Sequence, residues 1–303
     1  MKLPPPLQKG DTVALVSPAR FVDYAEVEHF IGFAQGCGWN VRADDACFLR
    51  YRQFGGDDQA RANHLQTMLS NDEVKAVFCN RGGYGSLRIV DSIDFSGMTK
   101  KPKWIVGFSD ITVFHAHLQA MGVGSLHAPM PFNFGQTDER TFHVMRQFLE
   151  GQPQPTQLKP HPLNRVGKAM GIITGGNLSI LYALKGSKSM PDLQGKILFI
   201  EDVDEYLYHI DRMMLGLKRA GLLSGLAGLV VGAFTEIKDN TIPFGSIAEE
   251  IVREHINEFN FPVCFGFPAG HIKLQHPLLF GAKIHLNVSE SFSSITYQTQ
   301  PSE

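Results

Sequence analysis

Lys103-Trp104-Ile105-Val106-Gly107-Phe108-Ser109-Asp110-Ile111-Thr112 is the stretch on which the reading of this chain turns. A short apolar strand runs into a glycine, a serine sits at the turn, and a helix-like segment follows from Ile111 to Ala120. In an open parallel sheet, ligands bind beyond the carboxyl ends of the strands. A serine there faces the site, with helix N-terminal amides close by, and this presents a nucleophile beside an oxyanion hole. The same position also suits an ordinary helix N-cap, for which serine is among the best residues. The segment alone leaves both readings open.

Outward from it, strand-like and helix-like segments alternate through residues 1–149. Thr12–Val16, Asn40–Arg42, Val74–Cys79 and Trp104–Phe108 read as strands; Glu26–Cys37 and Asp57–Ser70 read as helices. That alternation predicts parallel strands joined by right-handed crossovers. Residues 150–168 are rich in proline and poor in periodicity, so they read as a linker. Residues 169–303 read as a second α/β or α+β domain with more strand pairing. Its strand candidates are Ile197–Glu201, Leu226–Phe234 and Ala282–Val288; its helix candidates are Leu178–Lys185, Tyr208–Ala220 and Phe244–Glu258.

Composition narrows the function classes. The 303 residues carry a formal net charge of −2, which gives no basic surface for nucleic acid. No run of eighteen apolar residues suggests a membrane span, and Met1–Pro6 lacks the apolar core of a signal peptide, so a cytoplasmic protein is expected. Cys37, Cys47, Cys79 and Cys264 form no CxxC pair and read as buried, reduced thiols. No HExxH is present, and neither a metal nor a cofactor is expected.

Three further segments carry chemistry-bearing residues. Arg81-Gly82-Gly83-Tyr84-Gly85 follows the third strand, and its glycines let a backbone approach a ligand closely. It is neither a P-loop nor a convincing GxGxxG. Glu201 ends an apolar strand and opens the acidic run Glu201–Glu205, where a carboxylate can orient a histidine. His271 lies in the glycine- and proline-rich loop Gly266–His271, and His127, in Ser125–Met130, is its rival. Serine, carboxylate and histidine thus stand in an order compatible with nucleophile, orienter and general base. GxSxG is not met, because Ile111 replaces the second glycine.

Taken together, Val16-Ser17-Pro18, Arg81–Gly85, Gly107–Thr112, Gly175-Gly176-Asn177-Leu178, Phe199–Glu205 and Gly270-His271 resemble the LD-carboxypeptidase family of serine peptidases. That family includes murein tetrapeptide carboxypeptidases and microcin C immunity proteins. The resemblance covers nearly the whole chain. It implies a flavodoxin-like or Rossmann-like parallel-sheet domain carrying the nucleophile, a β-rich C-terminal α/β domain carrying the carboxylate and histidine, and a site between them. It implies a Ser109-Glu201-His271 triad and an oxyanion hole from the backbone amides of Gly85 and Asp110. Arg81, Tyr84, Asn177 and His127 are the substrate-binding candidates. The implied substrate is the cytoplasmic murein tetrapeptide, cut before its terminal D-alanine in peptidoglycan recycling, and the implied assembly is a homodimer. Two alternatives stand beside this. One is a hydrolase of peptide-nucleotide antibiotics, for which Tyr206 and Tyr208 would supply an aromatic platform unless they are core or interface residues. The other is a catalytically silent two-domain binding protein.

Overall fold

The apolar runs that read as strands are strands. In the first half β1 (Thr12–Val16), α1 (Tyr24–Gly36), β2 (Asn40–Arg42), α2 (Asp58–Ser70), β3 (Val74–Cys79), the short helices α3 (Ser86–Ile89) and α4 (Ser96–Lys100), β4 (Trp104–Gly107), α5 (Thr112–Ala120), β5 (Ser125–His127) and α6 (Glu139–Leu149) follow in order. Local chemistry sets the helix starts. Asp23 and Glu26 form a capping box on α1, and the Asp57 side chain accepts from Ala60 N at the start of α2. The computed structural model describes residues 1–298, so residues 299–303, the end of the expected C-terminal domain, lie outside the described residues.

The second half comprises β6 (Thr156–Leu158), β7 (Gly167–Asn177), α7 (Leu178–Leu184), β8 (Ile197–Val203), α8 (Leu207–Arg219), β9 (Gly228–Thr235), α9 (Ala248–His255), β10 (Val263–Cys264), β11 (Leu278–Phe280), β12 (Lys283–Val288) and β13 (Ser293–Tyr297). Two sheets result. The first runs β11-β5-β4-β3-β1-β2, parallel throughout except for β11. Its five parallel strands keep the flavodoxin-type order. The second runs β10-β9-β8-β7-β12-β13-β6, parallel from β10 to β7 and antiparallel beyond.

Every residue of β4 is buried, with apolar clusters on both faces of its sheet. Full burial of Ile105 and Val106 contributes about 1.5–3 kcal/mol each, and it fixes the strand end from which Ser109 emerges.

Two elements cross the domain division expected from the sequence. β6 lies inside the proline-rich stretch read as a linker, yet it pairs with β13 at the edge of the second sheet. β11 comes from the C-terminal half but pairs antiparallel with β5, register Leu278 to His127, so it closes the first sheet. The halves are also joined at Gly176 and Asn177. The Asn177 amide donates to Thr112 Oγ1 at 3.0 Å, and a Cβ at Gly176 would collide with the Thr112 side chain. Glycine at this position lets β7 approach α5 directly, which brings the carboxyl ends of β4 and β8 to one cleft.

Candidate active site

Ser109 is not a helix cap. It sits inside the turn Ser109–Ile111 with φ 61°, and its hydroxyl makes no hydrogen bond among the described residues. A non-glycine residue held at positive φ costs about 1–3 kcal/mol and persists where the surroundings enforce it, as at active sites. The enforcement is visible. Gly82 packs against Ser109 so closely that a Cβ there would lie 3.2 Å from Ser109 Cβ. Behind the turn, Asp110 is buried, and its Oδ2 accepts from the Ser86 amide at 2.8 Å. Burial pushes the Asp110 carboxyl above its usual range, against hydrogen bonds from Ser86 and Gly85 that lower it.

Glu201 is wholly buried near the end of β8, and its Oε2 accepts from His271 Nδ1 at 2.8 Å. The His271 loop has to pass within touching distance of this carboxylate. Gly270 makes that possible: it has φ 114°, and a Cβ would fall 2.7 Å from Glu201 Oε2. Burial pulls the His271 imidazole down, but the Glu201 charge and hydrogen bond, with Asp202 and Glu236, outweigh it and leave the ring raised above its usual 6.5. Nδ1 is engaged by the carboxylate, which leaves Nε2 as the ring atom available for proton transfer.

Ser109 and His271 line one cleft of about 370 Å³, together with Gly82, Gly83, Arg20 and Arg81. The Phe108 ring packs on His271 with centroids 4.9 Å apart. No Ser109–His271 hydrogen bond is formed. Catalytic hydrogen bonds are often long in unliganded enzymes and tighten with substrate.

The other sequence candidates divide. Asn177 lines the cleft, but its side chain is committed: Oδ1 accepts from Ile180 N and Ser179 Oγ, and Nδ2 donates to Asp202 at 2.8 Å. Arg81 lines the cleft, with its guanidinium stacked 3.9 Å from the Phe132 centroid and 3.7 Å from Glu26. Gly85 does not line the cleft; it lies under the turn against Arg61 and the Asp110 carboxyl. Tyr84 also stands outside the lining, packed on Phe54. His127 must be corrected. It is fully buried among Phe108, Phe199 and Phe280, and neither ring nitrogen has a partner among the described residues. Strand β5 carries this side chain into the interior, so it is out of reach of a substrate. Tyr206 and Tyr208 do not pack as core: both are exposed and lie against each other at 5.6 Å.

Sequence reasoning missed Arg20, Asp202 and Arg61. Arg20 lies in the loop after β1 and reaches over Gly83 into the cleft; its signal was the neighbouring Ser17-Pro18. Asp202 is buried beside Glu201 and accepts from Asn177, Val203 and Ser179; burial, then the Glu201 charge, push it up to about 7. Arg61 is buried on α2 and donates to the carbonyls of Pro18 and Gly85, so it clamps the glycine turn from behind. Gly85→Ala is therefore expected to destabilise the protein by roughly 2–4 kcal/mol, from its φ of 151° and a Cβ 2.7 Å from Arg61 Nη1. Denaturant unfolding checks it; an unchanged midpoint would show that the turn relaxes freely.

Two family profiles match this architecture: the LD-carboxypeptidase N-terminal domain over residues 13–128 and the LD-carboxypeptidase C-terminal domain over residues 170–286. This chain belongs to the LD-carboxypeptidase family. Its relatives include the probable murein peptide carboxypeptidase of Bacillus subtilis, 34% identical over 96% of this chain and 93% of that one. The microcin C7 self-immunity protein MccF of Escherichia coli is 24% identical over 97% and 95% of the two chains. Among solved structures, muramoyltetrapeptide carboxypeptidase from Oxalobacter formigenes superposes with a TM-score of 0.87 at 28% identity, covering 96% of this chain and all of that one. As an LD-carboxypeptidase the chain is an enzyme, and its mixed α/β architecture with a parallel-sheet first half is that of its structural neighbours.

Proposed function

We propose that this LD-carboxypeptidase removes the terminal D-alanine from murein tetrapeptide in the cytoplasm, during peptidoglycan recycling, by a Ser109-Glu201-His271 triad. The observation that carries the reading is the buried Glu201 carboxylate on His271 Nδ1, with Ser109 strained at positive φ in the same cleft. His271 Nε2 takes the Ser109 proton as Oγ attacks the scissile carbonyl, and Glu201 stabilises the imidazolium. The tetrahedral oxyanion lies between the Asp110 amide and the Gly82–Gly83 turn, which replaces Gly85 in this role because it borders the cleft. His271 then protonates the leaving amine, and water resolves the acyl-enzyme. The four cysteines are buried and unpaired, in keeping with a reducing compartment.

A carboxypeptidase must hold a free carboxylate. Arg20 and Arg81 project into the cleft, and Arg20 has no acidic partner among the described residues. Arg20→Ala and Arg81→Ala are each expected to raise KM about tenfold or more with a smaller change in kcat, as loss of a charge-assisted hydrogen bond of about 1.5–3 kcal/mol implies. Unchanged KM in both variants would put the carboxylate elsewhere.

The raised His271 fixes a pH dependence. The base must be neutral, so kcat/KM is expected to fall on the acid side with a midpoint above 6.5, and Glu201→Gln should move that midpoint down. Stability runs the other way. A histidine raised on folding stabilises fully below its unfolded value and loses that contribution as pH rises through the folded one. A pH–rate profile with an acid midpoint below 6 would contradict the ion pair.

The decisive assay is D-alanine release from murein tetrapeptide; absence of release, with cleavage of an aminoacyl-nucleotide conjugate instead, would transfer the assignment to the antibiotic-hydrolase reading. The exposed Tyr206–Tyr208 pair is the feature that favours that second reading. A homodimer is the proposed assembly, and light scattering on the purified protein tests it.

A further inference from the structure

Away from the cleft, three side chains of metal-ligating type converge, and the proposed reaction uses none of them. Asp44 and Cys47 belong to the turn after β2, and His64 lies on α2. A carboxylate oxygen, the thiol sulfur and a ring nitrogen all lie within 4.8 Å of one another. Cys47 is inaccessible and His64 is only 7% exposed. Asp44 Oδ1 and His64 Nε2 face each other at 3.9 Å, too far for a hydrogen bond, and both are buried with no partner among the described residues. A buried polar atom left unpaired costs about 1–3 kcal/mol, and here two of them border the same small space. The second Asp44 oxygen is engaged by Arg42 at 3.4 Å, which leaves Oδ1 directed inward.

We propose that Asp44, Cys47 and His64 bind a divalent transition-metal ion of the zinc type, with water as the fourth ligand. One sulfur, one nitrogen and one oxygen donor suit zinc, whose bonds to them are about 2.0–2.3 Å. Three atoms no more than 4.8 Å apart fit inside a circle of radius about 2.8 Å, so an ion at its centre draws each in by under about 1 Å. Binding breaks the S–H bond of Cys47, which now donates to Leu15 O at 2.9 Å, and its proton passes to water. Thiolate and carboxylate then balance the two charges of the ion. His64 binds as neutral imidazole through Nε2. The partly exposed Asp44 side gives the ion its way in.

The role is structural. α2 also carries Arg61, three residues before His64, which holds Pro18 and Gly85. The Cys47 carbonyl accepts from Ser17 Oγ at 2.6 Å, so the other end of the cluster is tied to the end of β1. An ion here fastens the turn after β2 to the helix that grips the glycine turn. The proposal stands independently of the substrate assignment.

Cobalt titration of the metal-free full-length protein tests it. At one equivalent, a thiolate-to-cobalt charge-transfer band and tetrahedral d–d bands are expected, both displaced by Zn²⁺. Cys47→Ala should lose the charge-transfer band and His64→Gln should weaken binding at least tenfold, while Ser109→Ala keeps the full spectrum. Zn²⁺ should raise the wild-type Tm by about 5 °C and that of His64→Gln by far less. Absence of a cobalt–thiolate spectrum at one equivalent would overturn the site. An unchanged spectrum in His64→Gln would do the same, and this variant keeps the test decisive if Cys47→Ala fails to fold.

Discussion

Ser109→Ala is expected to lower kcat for D-alanine release by at least about 10⁴, while Tm moves by no more than about 2 °C. The two effects separate because of what the side chain does. Its hydroxyl makes no hydrogen bond among the described residues and caps no helix, so the fold loses little when it goes. Loss of a nucleophile removes the covalent route and leaves only binding and oxyanion stabilisation. Ser109→Gly should be equally inactive but more stable than the alanine variant by about 1 kcal/mol, since glycine accepts a φ of 61° without strain. An alanine variant that retains a tenth of wild-type turnover would remove Ser109 from the mechanism.

His271→Ala and Glu201→Gln are expected to lose about 10³–10⁴ in kcat, and their combination should be little worse than His271→Ala alone. Members of a triad act as a unit, so once the base is gone its orienter has nothing to orient. Glutamine is nearly the size of glutamate, yet it offers His271 Nδ1 a poorer acceptor and no charge to stabilise the imidazolium. Steady-state kinetics on the two single variants and the double variant check this. Strict additivity would mean that the 2.8 Å contact is a structural ion pair and not part of the reaction.

The sequence was legible where burial dictates composition. β1, β3 and β4 are apolar runs closed by turn residues, and all three lie where the pattern put them. β8 was equally plain, although it runs two residues past Glu201 to Val203. β7 was not. Gly167, Gly171, Gly175 and Gly176 depress its strand propensity, and the reason for the last two is tertiary: Gly175 lies against the Phe199 backbone and Gly176 against Thr112. β6 and β11 are three residues each, and pairing with a distant strand makes them strands.

The site followed the same division. Ser109, Glu201 and His271, the proposed triad, stood out in the sequence because Ser109 follows a strand, Glu201 lies near the end of another and His271 occupies a glycine-rich loop. His127 also stands at a strand end, but all three residues of β5 are buried, and its ring is enclosed by Phe108 and by Phe199 and Phe280 from distant strands, which the local sequence does not reveal. Arg61 acts through backbone segments far from it in sequence, so nothing local marked it, and Arg20 had only the neighbouring Ser17-Pro18 as a signal.

Labelling with a serine-directed fluorophosphonate, read by mass spectrometry of the intact chain and its peptides, reports directly on whether Ser109 is the nucleophile. One adduct per chain is expected, on the peptide containing Ser109, slowed by murein tetrapeptide and absent from Ser109→Ala. No adduct, or an adduct on another serine that persists in Ser109→Ala, would contradict it.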